Sequence, residues 1–180
     1  ESVAETVKNI MANELLFRFG LTIELIMSVG LIVLATTLYS ILKPVNQYLA
    51  RLGLYLKLAE AALSLAIVLF SFIALMAGGD LVGLVLSHHA ALYAVPMVIL
   101  GVDMVIFLYI FYKSRYMPQL LSAFGILSFI LIFIHSIMYL FIPQIAVLPI
   151  NQIIFYAPSG LFEIIAGIWL IARGIKFQEE

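Results

Sequence analysis

The sequence predicts an all-α fold, a polytopic transmembrane helix bundle with five spans. Of its 180 residues, 65% are hydrophobic and only 11% are charged, whereas a soluble domain carries roughly 25% charged residues. Five apolar stretches also reach the length of about 20 residues that a helix needs to cross a bilayer. They are continuous, unlike the short alternating strands of a transmembrane β-barrel. Lipid is therefore the expected solvent of this chain.

The spans follow one another with short connections, and prolines mark several of their ends. Pro44, Pro118 and Pro143 lie where helices are expected to stop or begin. Before the first span, apolar residues recur at helical spacing among charged ones, which predicts an amphipathic, extracytoplasmic surface helix over residues 1–14. The predicted spans are 15–42, 54–77, 91–112, 120–142 and 153–175, which form one transmembrane domain over residues 15–176 before a cytoplasmic tail at 177–180.

The distribution of basic residues predicts the orientation of the spans. Lysine and arginine occur in the connections after the first and third spans and at the C-terminal end, whereas segments 78–90 and 143–152 contain neither. By the positive-inside rule, the basic connections and the C-terminus face the cytoplasm in a multi-pass protein of the cell (plasma) membrane. Residue 1 is then extracytoplasmic. Because no signal peptide is visible, this arrangement predicts a further segment upstream of Glu1, either a sixth helix or a cleaved signal.

Several classes of function find no support in the sequence. There is no cysteine for a disulfide, a thiolate metal site or a nucleophile, and a net charge of -1 provides no basic surface for nucleic acid. Glycine-rich phosphate loops and the H-E-x-x-H and G-x-S-x-G motifs are absent. The adjacent His88 and His89 point in different directions on a helix and do not readily share a metal, so they are expected at the membrane interface. Tyr93 is expected there as well, because aromatic residues are enriched at membrane interfaces. No cofactor is indicated, and an enzyme is not the favoured class.

Ionisable residues within the spans are the candidates for a functional site, because each costs about 2.5–3.5 kcal/mol at the bilayer centre. Glu24, Asp103, His135 and Glu163 lie on four different spans, and Arg18 is the cation nearest to them along the chain. One hypothesis is a common pocket, with Asp103 at its floor, that holds a metal, a proton or a cationic head group. The alternative is a set of independent hydrogen bonds between helices, with the acids neutral.

Glu60 stands apart from this group, because it lies near the start of the second span, on the cytoplasmic side. Lys57 is three residues earlier, a spacing at which helical side chains meet, and Asn46 and Arg51 precede the span. We therefore predict that Glu60 is a structural anchor, tied to the preceding connection through Lys57, Asn46 and Arg51. A ligand or proton site at Glu60 is the alternative.

Four phrases of the sequence together resemble a bacterial membrane-protein family, domain of unknown function 4386. They are "LLFRFG" (15–20), "LYSILKPVNQYLARLGLYLKLAEAAL" (38–63), "YKSRYMPQLLSAFGIL" (112–127) and "FEIIAGIWLIARGIK" (162–176). The resemblance covers nearly all of the chain, and "LKPVN" followed by "L-x-E-A-A" is its most specific part. It implies a small helical bundle with an additional helix before the "FRFG" segment, and it implies no established activity. It also implies that Arg18, Asn46, Glu60, Arg115 and Glu163 are motif positions.

Three classes of function remain. The favoured one is a binding or accessory protein that holds a lipid-like ligand, or packs against a larger membrane complex or a second copy of itself. The second is a proton- or cation-coupled carrier that uses the intramembrane carboxylates. The third is a membrane-embedded enzyme acting on a lipid-like or quinone-like substrate, with His135 and a carboxylate as acid and base. Membrane lipid is an expected partner in each case, and nucleic acid is not.

Overall fold

The computed structural model describes residues 3–175, and over this range the chain forms α-helices and no strand. In chain order they are α1 (Val3–Ala12), α2 (Glu14–Leu42), α3 (Gln47–Ala77), α4 (Gly79–Ser87), α5 (His89–Leu92), α6 (Ala94–Ser114), α7 (Gln119–Phe141), α8 (Pro143–Ala146) and α9 (Pro149–Arg173). Five of them, α2, α3, α6, α7 and α9, are long and apolar enough to cross a membrane. The predicted all-α class and the five spans are confirmed.

The second span begins earlier than predicted. α3 starts at Gln47 rather than near residue 54. The side chain of Asn46 accepts a hydrogen bond from the backbone N–H of Leu49 at 3.0 Å and so caps the helix. Glu60 consequently lies near the middle of a 31-residue helix. The prediction that it lies near the helix start is wrong, because the cap extends the helix into the predicted connection.

The two connections without basic residues also contain helical segments. α4 and α5 occupy most of segment 78–90, so the third span begins at Ala94 rather than at residue 91. α8 occupies the start of segment 143–152, and α9 begins at Pro149. A first-turn proline is well tolerated, because the N–H that it lacks would have no partner within the helix. The predicted amphipathic segment forms α1, which packs on α4. The tail predicted at 177–180 lies outside the described residues.

The long helices pack in a series with α6 in the middle. α6 lies between α3 and α7, while α2 packs on α3 and α9 packs on α7. The core near α6, α7 and α9 contains Phe107, Phe129 and Phe162, and the last two rings meet edge to face at 5.9 Å. Over the described part of the chain, α9 does not pack closely on α2 or α3. The space left between the two ends of this series is the candidate site.

Gly101 on α6 allows a close approach to α7, and its replacement by alanine is expected to destabilise the bundle. A Cβ atom at this position would lie 2.7 Å from Cβ of Phe133 and 3.0 Å from the backbone oxygen of Phe129. The helices would have to separate, and overpacking of this kind costs about 1–3 kcal/mol. Unfolding of the purified protein in detergent measures the loss. Gly30→Ala is the control, since a Cβ there meets no atom within 4 Å; equal losses would contradict the close packing.

Candidate functional site

A cavity of about 580 Å³, termed the main cavity, lies between α2, α3 and α6 in the membrane-spanning part of the bundle. Most of its wall surface is apolar, and α5, α7 and α9 each contribute one lining side chain. The apolar lining consists of Met27, Leu31, Leu34, Met97, Leu100, Met104 and Phe129. The polar lining consists of Glu24, Ser28, Lys57, Glu60, Ser64, His89, Tyr93 and Glu163.

One polar group at the cavity wall, the Glu24 cluster, is formed by Glu24, His89 and Tyr93. The Tyr93 hydroxyl donates a hydrogen bond to Oε2 of Glu24 at 3.1 Å, and Nε2 of His89 lies 3.4 Å from the same oxygen. The rings of His89 and Tyr93 meet edge to face at 5.3 Å. Burial raises the pKa of Tyr93, and the adjacent Glu24 carboxylate raises it further. The phenol therefore stays protonated, and able to donate, at neutral pH.

A second polar group, the buried ionic triad, is formed by Lys57, Glu60 and Asp103. Nζ of Lys57 donates a hydrogen bond to Oε2 of Glu60 at 2.8 Å and lies 3.0 Å from Oδ1 of Asp103. Both carboxyl groups therefore contact the same ammonium group. All three side chains are at most 3% exposed. Lys57 and Glu60 line the main cavity, whereas Asp103 is fully buried behind them on α6.

The triad forms because α3 and α6 run antiparallel and approach each other closely. Lys57 and Glu60 are three residues apart and so share one face of α3. One turn before Lys57, Gly53 provides the space for α6, since a Cβ there would lie 2.9 Å from the ring of Phe107. Small residues allow this kind of close contact between membrane helices. Asp103 lies near the middle of α6, as Glu60 does on α3. The two residues are therefore at the same depth in the bundle, on either side of Lys57 Nζ.

The structure brings together only some of the residues predicted to share a pocket. Glu24 and Glu163 both line the main cavity. His135 lines a second cavity of about 360 Å³, and Tyr93 lines both cavities. Asp103 belongs to the triad rather than to the floor of a pocket shared with His135. The carboxylates therefore gather around the main cavity, and the imidazole of His135 lies beside it.

Arg18 lines neither cavity. Its Nε lies 2.7 Å from Oε1 of Glu14, one turn earlier on α2, and both side chains are partly exposed. This local pair satisfies the guanidinium, so that Arg18 is not directed at Glu24. Among the described residues, no group of three or more His, Asp or Glu side chains is arranged to hold a metal ion.

The predicted contact between Lys57 and Glu60 is confirmed, but a third partner, Asp103, completes the group. Asn46 caps α3, and Arg51 is exposed. The group therefore joins two spans, whereas the prediction tied one span to its connection. The sequence contained a signal for this: once Asn46 is taken as the helix cap, Glu60 moves to the same depth as Asp103.

His89 and Tyr93 line the main cavity, although the sequence predicts them only at the membrane interface. Both contact Glu24, which is 69 positions away from Tyr93 in the chain. No spacing rule connects residues so far apart. Only the folded structure, in which both side chains contact Glu24 of α2, shows that these interfacial residues reach the cavity.

Five long apolar helices, with a largely apolar cavity among them that several polar side chains line, define a membrane-type helical protein. The chain belongs to the family described as "Domain of unknown function (DUF4386)", whose model matches residues 1–174. The resemblance carried by the four sequence phrases is thereby confirmed. Neither the curated proteins nor the solved structures contain a match to this chain. Family membership brings no activity with it, so the function has to be inferred from the cavity.

Proposed function

We propose that this protein binds an amphiphilic, lipid-like molecule with a cationic polar end in the main cavity. The observation that carries the proposal is the presence, in one cavity among the spans, of apolar walls and of the Glu163 carboxylate. An apolar chain would occupy the walls, and the cation would meet the carboxylate. Binding of this kind requires no catalytic motif, in agreement with the sequence.

The size and lining of the main cavity suit a single apolar chain. Its volume of about 580 Å³ falls among ligand pockets of about 300–1,000 Å³. On α2 the lining extends from Glu24 to Leu34, which corresponds to roughly 15 Å of helix at about 1.5 Å per residue. Met27, Met97 and Met104 contribute flexible, polarisable side chains that adapt to irregular apolar ligands.

Glu163 is the side chain most directly available to a ligand. It is exposed and lines the main cavity, and no described side chain forms a hydrogen bond or an ion pair with it. Glu24 and Glu60, by contrast, already have partners. Among the described lining residues, three carboxylates accompany one lysine, Lys57. An ammonium group would balance this excess of negative charge and make a strong, charge-assisted hydrogen bond.

The arrangement of the helices favours access from the lipid. α9 packs on α7 and, within residues 3–175, not closely on α2 or α3. Nevertheless Glu163 of α9 and Glu24 of α2 line the same cavity. The gap between α2 and α9 would therefore lead from the bilayer to Glu163. An amphiphile could follow it without leaving the membrane.

A matched pair of probes tests the proposal. The purified protein in lipid nanodiscs is titrated with a fluorescent dodecylammonium and, separately, with the same dye and chain carrying a carboxylate in place of the ammonium. We expect the cationic probe to bind saturably and the probe with the carboxylate not to do so. Glu163→Gln should weaken this binding about ten- to a hundredfold, because a hydrogen bond to a charged group contributes about 1.5–3 kcal/mol.

Glu14→Gln is the control for this experiment, because Glu14 pairs with Arg18 and does not line the main cavity. Its binding of the cationic probe should match that of the unmodified protein. Equal binding of the two probes would contradict a carboxylate-lined site. An equal loss in both variants would show that a surface charge, and not the cavity, attracts the probe.

A proton- or cation-coupled carrier is the second candidate. It is favoured by the position of Lys57 and Glu60, which line the same cavity as Glu163 and could link proton binding to occupancy. Accumulation of the cationic probe in proteoliposomes under a pH gradient would distinguish carriage from simple binding. An enzyme is less favoured, because His135, its predicted acid or base, lines the second cavity and not the main one.

We also propose the orientation that the basic residues predict, with the α2–α3 and α6–α7 connections in the cytoplasm. The chain has no cysteine, so single cysteines can be labelled without background. Val147→Cys should react with an impermeant maleimide in intact cells, whereas Gln119→Cys should react only after permeabilisation. Both positions are exposed in the structure. The reverse pattern would invert the proposed topology.

A further inference from the structure

The buried ionic triad carries an excess of negative charge if all its groups are ionised. Lys57 provides one positive charge, whereas Glu60 and Asp103 provide two negative charges. Relative exposure is 0% for Lys57, 2% for Glu60 and 0% for Asp103, so water screens the excess only weakly. An uncompensated charge in a protein interior is strongly unfavourable.

We propose that the triad is a proton-binding site, in which the carboxyls of Glu60 and Asp103 share one proton beside the charged Lys57. With this proton bound, the triad is neutral. The two carboxyls beside the ammonium group can then form a hydrogen bond, and they no longer repel each other as like charges. The proton comes from water and forms an O–H bond to one carboxyl oxygen, and no other bond is made or broken.

The carboxyl oxygens of Asp103 provide a second, independent observation. Both are buried, and neither has a hydrogen-bond partner among the described residues, although Lys57 Nζ lies 3.0 Å from Oδ1. The ammonium donates a hydrogen bond to Glu60, whereas its contact with Asp103 is an ion pair without hydrogen-bond geometry. Buried polar atoms are nearly always hydrogen-bonded. A proton between Glu60 and Asp103 supplies the missing bond, because both carboxyls contact the same ammonium group and are therefore neighbours.

Titratable groups on the neighbouring helices do not neutralise the triad. Glu163 of α9 interacts electrostatically with it across the main cavity and adds negative charge, which favours proton uptake. In the Glu24 cluster, the carboxylate of Glu24 contacts His89 and Tyr93 rather than the triad. His135 of α7 lines the second cavity. Because Lys57 and Glu60 line the main cavity, the proton can exchange with water that enters there.

Infrared difference spectroscopy detects the shared proton directly. At neutral pH, the full chain in lipid nanodiscs should show the carbonyl band of a protonated, buried carboxylic acid, and this band should shift in D₂O. Glu60→Gln and Asp103→Asn should each abolish the band, because the remaining carboxylate then balances Lys57. Both variants should fold, since each places a neutral amide where a carboxyl of the same shape shares a proton.

Glu24→Gln and Glu163→Gln are the controls, and both should retain the band. Absence of the band from the unmodified protein, or its persistence in both triad variants, would overturn the proposal. Loss of the band in a control variant with retention in the triad variants would place the proton elsewhere and would also overturn it. Failure of both triad variants to fold would do the same, because a site that already holds a neutral carboxyl should tolerate an amide.

Discussion

Lys57→Met is expected to destabilise the protein by about 3–5 kcal/mol, the cost of removing one partner from a buried ion pair. Methionine fills much of the volume of the lysine side chain but leaves Glu60 and Asp103 facing each other without a cation. Such a loss is a large part of the free energy of unfolding of a typical domain, which is about 5–15 kcal/mol. Thermal and denaturant unfolding in one detergent would measure it.

Lys43→Met is the matched control for this substitution. Lys43 is an exposed lysine at the end of α2, with Nζ 5.9 Å from the centre of the Tyr39 ring, and its loss should change stability by no more than about 0.5 kcal/mol. Acidification should restore part of the stability of Lys57→Met, because both carboxyls can then be neutral. If the two variants were equally stable, the triad would not be what joins α3 to α6.

The double variant Glu60→Gln/Asp103→Asn is expected to cost about 3–5 kcal/mol, because it leaves Lys57 buried without a counter-charge. Each single variant keeps one carboxylate for Lys57 and should cost no more than about 1.5 kcal/mol, the order of one hydrogen bond. The double variant should therefore lose more stability than the two single variants together. A double-mutant cycle from the same unfolding measurements gives this interaction energy.

A comparison pair shows whether the non-additivity is specific to the triad. Glu60→Gln combined with Glu14→Gln should be additive, since Glu14 pairs with Arg18 at the exposed end of α2 and shares no partner with Glu60. Additive losses in the Glu60 and Asp103 pair would mean that the two carboxyls do not depend on one lysine. The shared charge balance of the triad would then be wrong.

The five spans could be predicted because the bilayer imposes a simple requirement: a helix that crosses it must be apolar over about 20 residues. The starts of the helices were harder to predict, because local capping decides them. Asn46 begins α3 several residues before the sequence becomes strongly apolar. A hydropathy criterion therefore placed Arg51 in a connection, and it placed Glu60 near a helix end.

The composition of the site was harder to predict than the spans. A helix in lipid is apolar on most of its surface, so it lacks the polar stripe that distinguishes inside from outside in a soluble bundle. The sequence identified Glu24, Asp103, His135 and Glu163 as ionisable residues that are costly to place in a bilayer. The rotation of each helix about its axis and the order of helix packing decide which of these residues meet. α6 places Asp103 against α3, and α7 places His135 in the second cavity. Neither arrangement follows from depth alone.

Photolabelling of the full chain in lipid nanodiscs tests the central claim, that the main cavity holds a cationic amphiphile. The probe is a dodecylammonium that carries a diazirine on its chain, and the labelled residues are mapped by mass spectrometry. We expect adducts on Met97, Met104 or Phe129, which line the main cavity, with competition by unlabelled dodecylammonium and loss in Glu163→Gln. Adducts confined to outward-facing residues such as Leu120 and Ile171, which are 85% and 90% exposed, would contradict the proposed site.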